Sequence, residues 1–296
     1  MIIDTNHDTT HHVAALKAAG VKTIIRYLSP IAPGGEKCIK PAEARAIAGA
    51  GLRLGLVSEG WGDFAHGGIS AGAGDRDGAF AAHVAPTLDA PDGACVYFAV
   101  DVDASLYQIR KLVVPYFRSV AAAFKEHAPK LRVGVYGSGA VCEAVIGAKL
   151  ADLAWLSCSM GWTGSREFLA SNKWALRQHL PQPVASIDAD PDDPNGDIGD
   201  FEPFADIGRR RTEDGGQKTD EETPYPSSVV RPPSSEYAAV VAAVEKAIVA
   251  EIDVEVPAWA RGMIPAGMVP RLAAASAKAA VDALDQYRAA VAMNRL

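Results

Sequence analysis

The sequence predicts an α/β protein, a (β/α)8 TIM-type barrel followed by a linker and a C-terminal α-helical segment. Three observations carry this. Eight short β-type runs occur within residues 1 to about 205, Ala-rich helical stretches separate most of them, and polar residues stand where the strands end. In chain order the strands are expected at 2–4, 23–28, 53–58, 95–103, 132–136, 153–157, 174–179 and 185–188. Helices are expected at 11–19, 41–50, 70–88, 105–127 and 139–150. Eight units in about 200 residues suit a compact barrel, with abbreviated late units, because only short loops or turns fit between strands six, seven and eight. A doubly wound open sheet competes, but no GxGxxG follows the first strand, so a dinucleotide site has no support.

Composition shifts mark three regions: the barrel to about 205, a polar linker at 206–235 carrying Pro224, Pro226, Pro232 and Pro233, and an Ala-rich helical region at 236–296. Its first helix takes Ser234 or Ser235 as N-cap, and in the second Val281, Leu284, Tyr287 and Val291 recur at helical spacing. Such amphipathic helices serve for packing, partner docking, self-association or wall targeting, and spacing does not choose among them. The barrel is expected to fold without them.

The chain has 296 residues, 49% hydrophobic and 22% charged, with 29 Lys and Arg against 36 Asp and Glu and a formal net charge of -7. That is an ordinary globular composition without the basic surplus that would grip nucleic acid or anionic lipid. The four cysteines are far apart, with neither a CxxC pair nor zinc-finger spacing, and are read as reduced. No cofactor or metal is implied. The N-terminal residues show no signal pattern and no stretch of about 18 apolar residues occurs, so a cytoplasmic protein is expected, released by lysis or delivered to a cell wall.

In a barrel the chemistry sits at the C-terminal ends of the strands. Those ends hold Asp4, Arg26 and Tyr27, Glu59 with Trp61 beyond, Asp101 and Asp103, Tyr136, Trp155 and Ser157, Gln178, and Asp188 with Asp190. The strongest local signal is VYFAVDVD, residues 96–103. On a strand, residues two apart face the same side, which makes Asp101 and Asp103 neighbours, and two close carboxylates do not readily both ionise. One then keeps a proton and can act as the general acid of glycoside hydrolysis. The plainer alternative is that one caps the helix beginning near Ser105 while the other orders a loop. Tyr27, Trp61, Tyr136, Trp155 and Trp162, with Gln178, are candidate sugar contacts; core packing is the alternative for each ring.

At these residues the sequence resembles the glycoside-hydrolase-like domain related to the family-25 lysozymes. The matching stretches are VKTIIRYLSP, AGLRLGLVSEGW, VYFAVDVD, LRVGVYGS, WLSCSMGWTGSREF, KWALRQHLP and SIDADPDD, in family order across residues 1 to about 205. The resemblance implies a muramidase-type barrel and a cell-wall polysaccharide, peptidoglycan, as substrate. It places Asp4, Asp101 and Asp188 at acidic site positions and Asp103 where the lysozymes keep the catalytic Glu. Asp-x-Asp in place of Asp-x-Glu withdraws the acid by about one carbon–carbon bond, and a shift of about 1 Å is enough to lower a rate about a hundredfold. Glu59 is the next candidate.

A muramidase-like hydrolase, as a phage lysin or delivered effector, is therefore the leading expectation. A catalytically silent barrel that binds glycan or serves a larger particle is its rival, and unrelated barrel chemistry stands third. Residues 191–202 match part of an EF-hand loop, but Pro191 occupies the first ligand position, so an acidic turn is preferred. His7, His11 and His12 read as loop residues, and the Gly-rich stretch 67–74 lacks a phosphate-loop ending.

Overall fold

The computed structural model describes residues 1–29 and 37–204. The linker and the C-terminal helices expected from sequence lie outside the described residues.

Seven parallel strands follow one another around a barrel: β1 (Ile2–Asp4), β2 (Thr23–Leu28), β3 (Arg53–Ser58), β4 (Cys95–Ala99), β5 (Arg132–Gly137), β6 (Leu153–Leu156) and β7 (Leu176–Gln178). A short β8 (Gln182–Val184) then turns into β9 (Ile187–Pro194), which runs antiparallel to both β7 and β1 and closes the barrel. The barrel expected from sequence is present, with its eighth wall strand reversed. The reversal has a local cause, since the chain between β7 and β9 forms only a hairpin, and returning parallel would need a crossover of a dozen or more residues.

Helices α1 (Val13–Ala18), α2 (Pro41–Gly49), α3 (Ala71–Thr87), α6 (Gly139–Gly147) and α7 (Ser165–Ser171) connect the parallel strands. Between β4 and β5 the helix α4 (Leu106–Gln108) passes through a π turn (Ile109–Val113) into α5 (Val114–His127). Pro115, which offers no N–H to the preceding turn, accounts for that irregularity. Their starts agree with capping chemistry: the Ser70 and Ser138 hydroxyls accept from Ala73 and Val141 N–H, and Ser105 forms a reciprocal box with Gln108. Two sequence expectations need correction. A helix, α7, does fit between strands six and seven. Strand four ends at Ala99, so Asp101 and Asp103 lie past the sheet and the same-side argument for a strand does not govern them.

Period-two alternation divides the core into two parts. On β2, Ile24 and Leu28 face the helices, while Ile25 and Tyr27 face the barrel interior with Ile2, Val57, Tyr97, Tyr136, Trp155 and Leu176. The interior is a packed core. At Gly134 an added Cβ would lie 2.4 Å from the Tyr97 ring, so glycine here makes the room that the ring fills. Residues after β9 plug the N-terminal end: Ile198 enters the interior, its carbonyl accepts from Tyr97 OH at 3.0 Å, and Gly199, at φ +72°, passes against Cys95. The acidic turn expected at 191–202 is thus the end of a wall strand followed by this plug.

Candidate active site

The reversed β9 sets Asp190 directly opposite Asp4 and Asp192 opposite Ile2. Asp4, at the end of β1, is 1% exposed and accepts from Tyr27 OH at 3.2 Å and from Gln178 Nε2 at 2.9 Å. The same Gln178 amide reaches Asp190 at 3.2 Å, and its oxygen accepts from Tyr136 OH at 2.8 Å. Tyr136 OH also stands 3.5 Å from Asp101 at the rim. The Gln178 amide and the Tyr136 phenol therefore tie Asp4, Asp190 and Asp101 into a single polar network, with Tyr27 OH on Asp4.

Glu59, one residue past β3, joins from the next wall strand. Its carboxylate accepts from Lys37 Nζ at 2.7 Å, and that ammonium also lies 4.7 Å from the Tyr27 ring centre. Between Glu59 and Asp101 runs Gly62, at φ +65°, whose carbonyl accepts from Asp101 N–H at 2.9 Å. A Cβ there would stand 3.1 Å from Glu59 Oε1 and 3.4 Å from the Asp101 Cβ, so the two carboxylates flank one narrow gap.

The environment retains protons. Burial, partly offset by the Gln178 hydrogen bond and reinforced by the Asp190 charge, raises the Asp4 carboxyl to about 8. Asp101 is raised by loss of solvent and by the Glu59 charge, and Asp190 by loss of solvent and by Asp101. One layer deeper, Asp192 is raised well above the ordinary range by burial and by Asp4, with Trp155 Nε1 donating to it at 2.7 Å. Burial and mutual repulsion therefore raise the affinity of these carboxyl groups for protons, most of all at Asp4.

Other candidates from the sequence lie elsewhere. Asp103 is exposed, and its Oδ1 accepts the Thr163 backbone N–H at 2.8 Å, which ties the β6–α7 loop. The loop-ordering alternative describes that contact. Asp188 is exposed beside β8, paired in register with Pro183, and its backbone carbonyl takes the Thr5 hydroxyl; Asp190 occupies the place opposite Asp4. Trp155 is buried in the barrel, edge-on to Tyr97 and Tyr136, so it packs the core and offers no sugar face. Trp61, 39% exposed, stacks on His66 with ring centres 4.2 Å apart, and His66 is held by Asp63 at 2.9 Å. Trp162 is half-buried in the loop that Asp103 tethers. Asp190, Asp192 and Lys37 were not singled out as site residues from sequence. The Asp-x-Asp-x-Asp alternation at 188–192 was the available signal for the first two.

Arg26, fully buried on the outer face of β2, pairs with Glu43 of α2 at 2.7 Å and donates to the Thr5 carbonyl. Glu43 also accepts from the Thr9 N–H and hydroxyl, both at 2.8 Å. This cluster fixes the loop after Asp4. Cys95, Cys142 and Cys158 are free thiols. Among the described residues no helix is long and apolar enough to cross a membrane, and no group of three or more His, Cys, Asp and Glu side chains is arranged to hold a metal ion.

Comparison with known proteins adds the following. Residues 14–202 match the family described as Rv2525c-like, glycoside hydrolase-like domain. The chain is 34% identical over 119 residues to the Bacillus subtilis protein YbfG, covering 38% of this chain and 16% of that protein. It is 31% identical over 147 residues to a Mycobacterium tuberculosis protein named "Putative peptidoglycan hydrolase Rv2525c", covering 47% of this chain and 59% of that protein. The chain thus spans less than two thirds of the curated relatives it matches. The crystal structure of Rv2525c, described as a Tat-secreted protein, aligns with 67% of this chain and 97% of its own at 22% identity and a TM-score of 0.57, a likeness of fold. That description overturns the cytoplasmic location expected from sequence, because want of a signal pattern in the given residues is no guide to where a member of this group works.

Proposed function

Because the chain belongs to the Rv2525c-like, glycoside hydrolase-like domain family, we propose that it is an exported hydrolase that cuts the glycan of peptidoglycan, at the muramic acid linkage. The observation that carries this reading is the cluster of Asp4, Asp101 and Asp190 at the C-terminal mouth, joined through Gln178 and Tyr136, with Glu59 held by Lys37 across Gly62 from Asp101.

Asp101 is the proton donor in this reading. It is exposed at the rim, and loss of solvent with the Glu59 charge raises its affinity for a proton, the direction a general acid needs. Glu59, with Lys37 against it, supplies the opposing charge for the oxocarbenium ion, either directly or by orienting a substrate acetamido group. Asp4 and Asp190 hold a proton beneath the sugar, with Tyr27, Tyr136 and Gln178 as positioning groups, and Trp61 offers an exposed face for stacking.

Incubation with purified peptidoglycan and mass spectrometry of the products tests the proposal. Soluble fragments with new reducing ends are expected; intact glycan overturns hydrolysis. One observation favours the second reading, a silent glycan-binding barrel: the carboxylate standing where lysozymes keep their acid, Asp103, is committed to Thr163. Under that reading the glycan is retained and no fragment appears.

A further inference from the structure

Strand β7 leads into a hairpin, not a helix, and this leaves the outer rim open beside the mouth. A cavity of about 570 Å³ lies there, with Arg177, Gln178, His179 and Gln182 in its lining. Arg177 points outward from the barrel, since its neighbours Leu176 and Gln178 point in. Its Nε is buried and has no hydrogen-bond partner among the described residues. Asp193, directly across on β9, gives its carboxylate to His179 Nε2 at 2.7 Å.

A guanidinium N–H withdrawn from water without an acceptor is costly, and the planar fork of arginine matches the paired oxygens of an oxyanion. Gln178, whose amide bridges Asp4 and Asp190, also lines the cavity, so a neutral sugar ring over the carboxyl groups would have the pocket at its side. We propose that this pocket is a subsite for the acidic substituent of a glycan, a carboxylate or a phosphate, held by Arg177. It rests on the hydrolytic reading only in placing the adjoining sugar at the mouth.

The test is calorimetric titration of the full chain with three sugars: neutral N-acetylglucosamine, N-acetylmuramic acid for the carboxylate, and N-acetylglucosamine 6-phosphate for the phosphate. At least one acidic sugar is expected to bind about tenfold tighter than the neutral one, by an advantage that salt weakens. Arg177→Gln should abolish the advantage and Arg177→Lys should restore part of it. A gain confined to the muramic acid identifies a carboxylate as the ligand group, and a gain confined to the phosphate identifies a phosphorylated polymer. If Arg177→Gln fails to fold, Gln182→Glu, at an exposed position, places a repelling charge in the pocket and should cancel the advantage. Equal binding of all three sugars by the unaltered chain overturns the subsite, as does an advantage that survives Arg177→Gln or Gln182→Glu. Acid preference without any cutting of peptidoglycan would remove the hydrolytic reading and leave the subsite standing.

Discussion

At the N-terminal end of the barrel Asp200 receives Arg53 through Nε at 2.8 Å and Nη2 at 3.0 Å, and Asp197 receives Arg132 at 2.7 Å; at the C-terminal end Asp4, Asp101 and Asp190 meet phenols, an amide and one another. Both ends are acidic, and they handle charge in opposite ways. Below, each carboxylate is neutralised by a cation, and the Asp197 carboxyl is held beneath its ordinary range by the Arg132 hydrogen bond. Above, burial and mutual repulsion raise the affinity of the carboxyl groups for protons. One arrangement fastens the plug to the strands. The other raises the affinity of its carboxyl groups for protons and is unfavourable for folding, the division of labour expected between the two faces of such a barrel.

The comparison breaks most visibly if substitutions at the two ends have similar effects. Asp101→Asn should lower release of soluble peptidoglycan fragments by about a hundredfold or more while moving the melting temperature little, because the group is exposed and its contact with Tyr136 is long. Asp200→Ala should do the reverse. It removes the paired contacts from Arg53 and the Thr23 hydroxyl bond at 2.6 Å, a loss of about 1 to 2 kcal/mol at a half-exposed position, read by denaturant unfolding, with fragment release per folded molecule unchanged. A fall in turnover equal to that of Asp101→Asn would show that the ends are coupled.

The pH dependence of stability sharpens the contrast. Asp4 titrates near 3.8 when unperturbed and at about 8 in the fold, so between these values the folded chain binds a proton that the unfolded chain has released. Stability therefore falls as pH rises through that window. Asp197, held low, acts with the opposite sign and contributes stability that is lost as pH falls, a small effect at its exposed position. Replacement of Asp4 by Asn should flatten the alkaline decline, so that the melting temperature of the variant gains on the parent from pH 5 to pH 8. A constant difference across that range would remove Asp4 as the proton-holding group.

Much of this division is written in the sequence, and the missing part has a geometric origin. Asp4, Tyr27, Tyr136 and Gln178 are legible because each is the last inward residue of a parallel strand, and Glu59 because it follows β3 directly. The final strand runs the other way, and its alternating Asp188, Asp190 and Asp192 share a face without stating which of them meets Asp4. Register decides that, and register here is set by the β7–β9 hairpin. Trp155 looked like a sugar platform because strand position gives direction and not depth; it lies beneath Tyr136, with its N–H on Asp192. Lys37 bears no local mark at all. Its role follows from a contact with Glu59 across 22 residues.

Asp103 gives the smallest expected effect and the most discriminating one. Resemblance to the lysozymes makes it the proton donor, whereas the structure commits its Oδ1 to the Thr163 N–H in the loop that carries Trp162. An asparagine in its place retains a carbonyl oxygen that accepts the same bond, so Asp103→Asn should leave both fragment release and melting temperature within about twofold and a degree or two of the parent, while Asp103→Ala frees the loop at a cost of about 1 kcal/mol. A proton donor cannot tolerate that first change, because the amide has the shape of the acid and no transferable proton. Loss of a hundredfold in Asp103→Asn with an unchanged melting temperature would return the acid role to Asp103 and require the loop tether to open when glycan binds. Unchanged turnover, set beside the collapse expected for Asp101→Asn, would separate two carboxylates that stand two residues apart by the partners the fold gives them.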